Sequence, residues 1–121
     1  MDESARLALS PSETKRLMDE HPGVQIIDVR TAESRRGRKV LPGAVHLDVK
    51  DQVTHGDASG LLAAGLDPNK PVVAICNSGG SCTISAAMLR ENGFDAHFLE
   101  GGVNAWNEEG LPVDDVQSDG E

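Results

Sequence analysis

Apolar residues fall in short runs, and the runs alternate with stretches whose apolar positions recur at helical spacing. The runs at 24–29, 44–47, 72–75 and 95–99 have strand length and are bounded by Pro, Gly, Asn or polar clusters. Val72-Val73-Ala74-Ile75 contains no polar residue and follows the turn sequence Asp67-Pro68-Asn69-Lys70-Pro71, so it reads as a fully buried strand. Helix signals lie between the strands. Ser10-Pro11-Ser12-Glu13 is a capping-box sequence with proline at the first helical position. It predicts a helix to about Glu20, with Leu17 inward and His21-Pro22-Gly23 as the stop. Leu61-Leu62-Ala63-Ala64 reads as a short helix ended by Gly65. A pattern that starts near Gly80 places Ile84, Ala87 and Met88 on one face and stops at Asn92-Gly93. The stretch 103–109 around Trp106 is a last short helix, closed by Gly110-Leu111-Pro112. This alternation predicts an α/β domain with a mainly parallel sheet covered on both faces. The working site of such a sheet lies beyond the carboxyl ends of its strands.

The ends of the chain carry little pattern. Residues 1–7 are polar, and residues 114–121, Asp-Asp-Val-Gln-Ser-Asp-Gly-Glu, read as a disordered acidic tail behind a domain spanning 1–113. At 121 residues the chain is one domain, long enough for a core. Its 38% hydrophobic and 26% charged content fits a soluble globular protein. No run approaches a membrane span, and Met1 to Arg6 lacks the layout of a signal peptide, so a cytoplasmic location is expected. A net charge of −9 argues against nucleic acid or an anionic membrane as the main partner. With only four lysines, the acidity suits a high-salt cytoplasm and an ordinary acidic protein equally well.

Two cysteines make neither a disulfide framework nor a zinc site. His21, His46, His55 and His97 show no ligand spacing, and His97 alternates with apolar neighbours as a structural residue would. No metal or cofactor is expected. Cys76, however, stands where the buried strand ends and a Gly-rich loop turns into a helix. Amides at a helix start attract negative charge, so a thiol held there is expected to shift toward the nucleophilic thiolate. Gly79 and Gly80 permit backbone angles that let amides point inward. A buried structural Cys is the alternative, and the Gly-rich loop disfavours it.

Five further pieces accompany that loop. They are Leu9-Ser10-Pro11 before the first helix; Ile27-Asp28-Val29-Arg30 with Glu33; Leu41-Pro42-Gly43-Ala44-Val45-His46-Leu47; Glu100-Gly101-Gly102-Val103-Asn104-Ala105-Trp106; and Gly110-Leu111-Pro112. In this order, with Cys76-Asn77-Ser78-Gly79-Gly80-Ser81 in the fourth place, the chain resembles the single-domain rhodaneses, a sulfurtransferase family, over residues 8–113. The resemblance implies a rhodanese-like α/β fold, with a five-stranded parallel sheet and helices on both faces. It also implies that Cys76 accepts a sulfane sulfur as a persulfide from a donor of the thiosulfate or 3-mercaptopyruvate class. The sulfur then passes to a thiol, to cyanide or to a protein acceptor. The amides of Asn77, Ser78, Gly79, Gly80, Ser81 and Cys82 would cradle the outer sulfur. Asp28 and Arg30 would brace the site, Glu100 would be a structural partner, and Trp106 a core anchor.

The sequence departs from the family at two places. Many members carry Arg or Lys inside the loop, whereas Asn77 and Ser78 are neutral, and Lys39-Val40 replaces the usual Gly-His before the Pro-Gly-Ala element. Arg35 and Arg36, in a run that also holds Arg38 and Lys39, are candidates for steering an anionic donor; a solvated loop is the alternative. A cysteine phosphatase or arsenate reductase would need Arg six residues after the nucleophile, where Cys82 stands. A non-enzymatic module that carries a persulfide to a partner protein is the remaining alternative. Cys82 begins the helix, where first-turn side chains are expected to radiate away from the amides. It is therefore expected to pack without reacting, and a role in resolving Cys76 is the alternative.

Overall fold

The computed structural model describes residues 6–35, 39–77 and 80–115, with the backbone alone at Asp115. Its elements are β1 (Ala8–Leu9), α1 (Pro11–Glu20), β2 (Gln25–Asp28), α2 (Ala32–Arg35), β3 (Lys39–Val40), β4 (Val45–His46), α3 (Lys50–Thr54), α4 (Ser59–Leu62), β5 (Val72–Ile75), α5 (Gly80–Glu91), β6 (Ala96–Leu99), α6 (Gly102–Glu108) and β7 (Asp114–Asp115). Five strands form one sheet in the order β1-β6-β5-β2-β4, and every neighbouring pair is parallel. The sheet is the five-stranded parallel one that the resemblance implies. Among the described residues, no helix is long and apolar enough to cross a membrane.

β5 is central because its sequence tolerates burial on both faces: all four of its residues are inaccessible. Burying an aliphatic side chain of this size contributes about 1.5–3 kcal/mol. Alternate side chains along the strands feed two separate cores. Ile27, Val72, Ala74 and Ala96 pack on one face with Val53, Leu61, Cys82, Ala86 and Leu89. Ile26, Val73, Ile75 and Leu99 pack on the other with Val103 and Trp106. The period of two in a strand produces this partition.

α1 starts as its sequence predicts. Ser10 Oγ accepts from the Glu13 amide at 3.1 Å, and Glu13 returns the bond to the Ser10 amide at 2.9 Å. Trp106 is fully buried, and its indole N–H donates to the Pro112 carbonyl at 2.8 Å. α5 departs from expectation. Its inward stripe is Cys82, Ser85, Ala86 and Leu89, and Ile84 is left exposed. That stripe also has helical spacing, but three of its four residues are small, and small residues let the helix lie close against the sheet. Ser85 can be buried there because its hydroxyl donates to the Ser81 carbonyl at 2.9 Å.

β7 pairs antiparallel with β3, Lys39 opposite Asp115 and Val40 opposite Asp114. Ordered structure therefore runs two residues past the boundary expected at 113. The rest of the expected tail, 116–121, lies outside the described residues.

Candidate active site

The register of the sheet assembles the site. Asp28 at the end of β2 stands opposite Ile75 of β5 and His46 of β4. The loops that leave these three strands therefore emerge side by side at the carboxyl edge. Cys76 is the first residue past β5, 4% exposed, and α5 begins four residues later. The first amides of a helix have no intrahelical acceptor, so this helix start faces the Cys76 loop with N–H groups. Ser78 and Gly79, two of the expected cradle residues, lie outside the described residues.

Arg30 ties the three loops together. Its Nε and Nη2 grip Asp28 bidentately, at 2.9 and 2.6 Å. Nη1 donates to Asn77 Oδ1 at 2.8 Å, and Nη2 also reaches the Lys39 carbonyl at 3.0 Å. Asn77 in turn donates to Ser34 Oγ at 2.9 Å. Neither Arg30 nor Asp28 is exposed beyond 1%. Removing one member of such a pair leaves a buried charge uncompensated, at a cost of about 3–5 kcal/mol. His46 Nε2 lies 2.7 Å from the Arg30 carbonyl, which only accepts, so that nitrogen carries a proton and further fixes the arginine. Asp28 and Arg30 thus meet beside the Cys76 loop and hold Asn77.

The base of the loop is clamped by α6. Val103 N–H donates to the Cys76 carbonyl at 2.8 Å and Asn104 N–H to the Asn77 carbonyl at 3.0 Å. Gly102 makes the approach possible. Its φ is +65°, and a Cβ there would stand 2.5 Å from the Asn77 carbonyl carbon and oxygen. Glu100 is exposed, and its backbone N–H donates to the Leu9 carbonyl at 2.8 Å.

Cys82 does not point away from the site. It belongs to the inward stripe of α5, is wholly buried, and its Sγ lies 3.0 Å from Cys76 Sγ with an S–H between them. The outward geometry expected for a first-turn side chain fails because position 82, with 85, 86 and 89, faces the sheet, and β5 delivers Cys76 to that same face. The pKa of the Cys82 thiol is raised, first by the hydrogen bond with Cys76, then by burial and by charge on Cys76.

A cleft of about 220 Å³ opens over Cys76, lined by Arg30, Ser34, Lys50, Cys76, Asn77, Gly80 and Ser81. It is smaller than the roughly 300–1,000 Å³ of sites for drug-sized ligands, and suits a small anion or a small thiol. Arg35 is not among its lining. Arg35 Nε instead sits 3.4 Å from Asp28 Oδ2, an ion pair without hydrogen-bond geometry. Arg36 lies outside the described residues. Lys50, exposed at the start of α3, brings a cation to the cleft that the weakly patterned stretch around it does not advertise. One signal could have found both Lys50 and Ser34: each follows closely on the end of a strand in a parallel sheet, and such loops gather at one edge.

A family model described as Rhodanese-like domain matches residues 10–109. A thiosulfate sulfurtransferase GlpE from Pseudomonas savastanoi is 32% identical over 99 residues, covering 81% of this chain and 84% of its own length. A tRNA sulfurtransferase from Desulfurococcus amylolyticus is 39% identical over 87 residues, or 71% of this chain, and the match spans only 16% of that relative. Among solved structures, a polysulfide-sulfur transferase homodimer from Wolinella succinogenes superposes with a TM-score of 0.72 at 31% identity, covering 95% of this chain and 82% of the other. A rhodanese-like domain protein from Staphylococcus aureus gives 0.68 at 28% identity, over 93% of this chain and all of the other.

Proposed function

Because the chain belongs to the rhodanese-like domain family, we propose that it is a sulfurtransferase that works through a persulfide on Cys76. The Cys76 thiolate attacks the outer sulfur of a thiosulfate-class donor, the S–S bond breaks, and sulfite leaves. An acceptor thiolate or cyanide then attacks the outer sulfur of the persulfide and releases Cys76 as thiolate. Asn77, Gly80 and Ser81 line the space for that sulfur, and Asp28 and Arg30 hold the loop rather than react. We place this activity in the cytoplasm, with a small donor and a thiol, cyanide or protein acceptor.

The observation that carries the reading is the position of Cys76: it lines a small cleft at a helix start, with its loop pinned by Arg30 and by α6. The cationic lining suits an anionic donor. The roughly 30% identity to thiosulfate sulfurtransferases over most of both chains also supports it. The test is mass spectrometry of the intact protein after thiosulfate or 3-mercaptopyruvate, with turnover to cyanide followed in parallel. Passage of one sulfur through Cys76 is expected, seen as an added sulfur on Cys76 in samples quenched early, together with complete loss of turnover in Cys76→Ser. A folded Cys76→Ser protein that still transfers sulfur sinks the mechanism. A wild-type persulfide without turnover would make the protein a carrier for a partner.

A further inference from the structure

The cycle just described leaves one nucleophile unused. Cys82 is fully buried, yet its sulfur lies 3.0 Å from Cys76 Sγ, only about 1 Å beyond the length of an S–S bond. Cys76 lines the cleft, and Cys82 is not among the cleft's lining residues. Cys76 therefore borders the cleft on one side and touches the Cys82 sulfur, which lies outside the cleft lining. An outer sulfur received from the cleft would project into it, and Cys82 would face the rear of the new bond. Displacement at a disulfide sulfur needs that arrangement, with the attacking thiol roughly opposite the leaving sulfur.

We propose that Cys82 resolves the Cys76 persulfide, so that the protein releases sulfide without any external acceptor thiol. This inference rests on the persulfide reading above. The Cys82 sulfur attacks Cys76 Sγ, the bond from Sγ to the outer sulfur breaks, and a Cys76–Cys82 disulfide forms. The outer sulfur leaves as hydrosulfide and takes up the proton that Cys82 loses, so the products are one disulfide and one hydrogen sulfide. The two thiols supply the two electrons. A dithiol reductant returns the pair to its starting state.

The environment of Cys82 favours this order of events. The hydrogen bond to Cys76 and the charge on Cys76 both hold the Cys82 thiol protonated in the resting protein. Once Cys76 Sγ carries a second sulfur it is no longer a thiolate acceptor for the Cys82 S–H, and the largest of the causes that silence Cys82 is weakened, while the negative charge moves one sulfur further away. Acceptors that reach the cleft compete for the outer sulfur. Without them, the internal route is open. Simple packing of a small side chain makes the opposite forecast, a persulfide that lasts until an acceptor arrives.

The experiment is a single turnover without oxygen. Fully reduced protein receives excess thiosulfate and no thiol or cyanide, and sulfide and protein mass are both followed. Wild type is expected to release one sulfide per chain and to end with a peptide-mapped 76–82 disulfide. Cys82→Ser and Cys82→Ala, made together in case one packs poorly, are expected to release none and to retain one extra sulfur on Cys76. A lasting Cys76 persulfide in wild type, with no disulfide, overturns the resolving role and leaves the sulfurtransferase reading standing. Extra sulfur recovered on Cys82 overturns the direct attack. If neither wild type nor the variants gain sulfur or release sulfide, both readings fall.

Discussion

Among the described residues two cations reach the cleft, and their surroundings give them different work. Arg30 is buried, and each of its three guanidinium nitrogens is engaged by Asp28, Asn77 or Lys39, so its charge is already spent on holding the loops. Lys50 is exposed, makes no ion pair with a described residue, and lines the same space. It is the residue expected to meet an incoming dianion. An exposed charge contact contributes about 0.5–1 kcal/mol. Lys50→Gln should therefore raise the Michaelis constant for thiosulfate about two- to five-fold in dilute buffer. Screening over ~10 Å at 0.1 M salt should shrink the difference as ionic strength rises. Arg35→Gln makes a useful contrast, since it touches Asp28 and not the cleft. It should lower the melting temperature and leave the salt dependence of the Michaelis constant alone. The opposite outcome, with Lys50→Gln silent and Arg35→Gln altering donor affinity, would return the steering role to the arginine run.

At the scale of elements, the start of α6 has a large effect on the site although it contributes no side chain to the cleft. It holds two loop carbonyls by its amides, and Gly102 is the point of closest approach. Gly102→Ala adds a methyl that the Cys76 and Asn77 backbone has no room for, at a positive φ that disfavours it further. The loop must move or the helix must tilt. Turnover is expected to fall at least tenfold while far-ultraviolet circular dichroism stays near wild type. Gly110→Ala, at a positive φ with open space around it, should cost stability and spare turnover. Equal losses in the two variants would remove the clamp from the account.

β5 and α1 are legible in the sequence because each has a strong local cause: an unbroken apolar run between turn residues, and a reciprocal cap. Cys76 at the end of β5 is legible for the same reason. The inward face of α5 is not, since hydropathy favours the exposed Ile84 over the buried Cys82, Ser85 and Ala86. How close a helix lies is set by tertiary packing, and small residues carry no hydrophobic signal of it. The Arg30–Asn77 bond spans 47 residues, and the contact of Gly102 with Asn77 is also non-local, so no short window along the chain contains either.

On the scale of the whole molecule, an all-parallel sheet divides the interior into two cores that share no side chain, each alternate residue of β5 serving one of them. The molecule thereby carries its own pair of labels. Trp106 is the single tryptophan and lies in one core; Cys82, in a Cys76→Ser background, is the single thiol and lies in the other. Indole fluorescence and the rate of alkylation should then watch opposite sides of one sheet melt. A small domain that unfolds in one cooperative step shows coincident transitions by independent probes. In urea, the fluorescence midpoint and the onset of rapid Cys82 alkylation are expected to agree within error. Alkylation that begins at clearly lower urea, with Trp106 still native, would mean that the side holding the two sulfurs opens first. The buried thiol would then become reachable to oxidants in a chain that is otherwise folded.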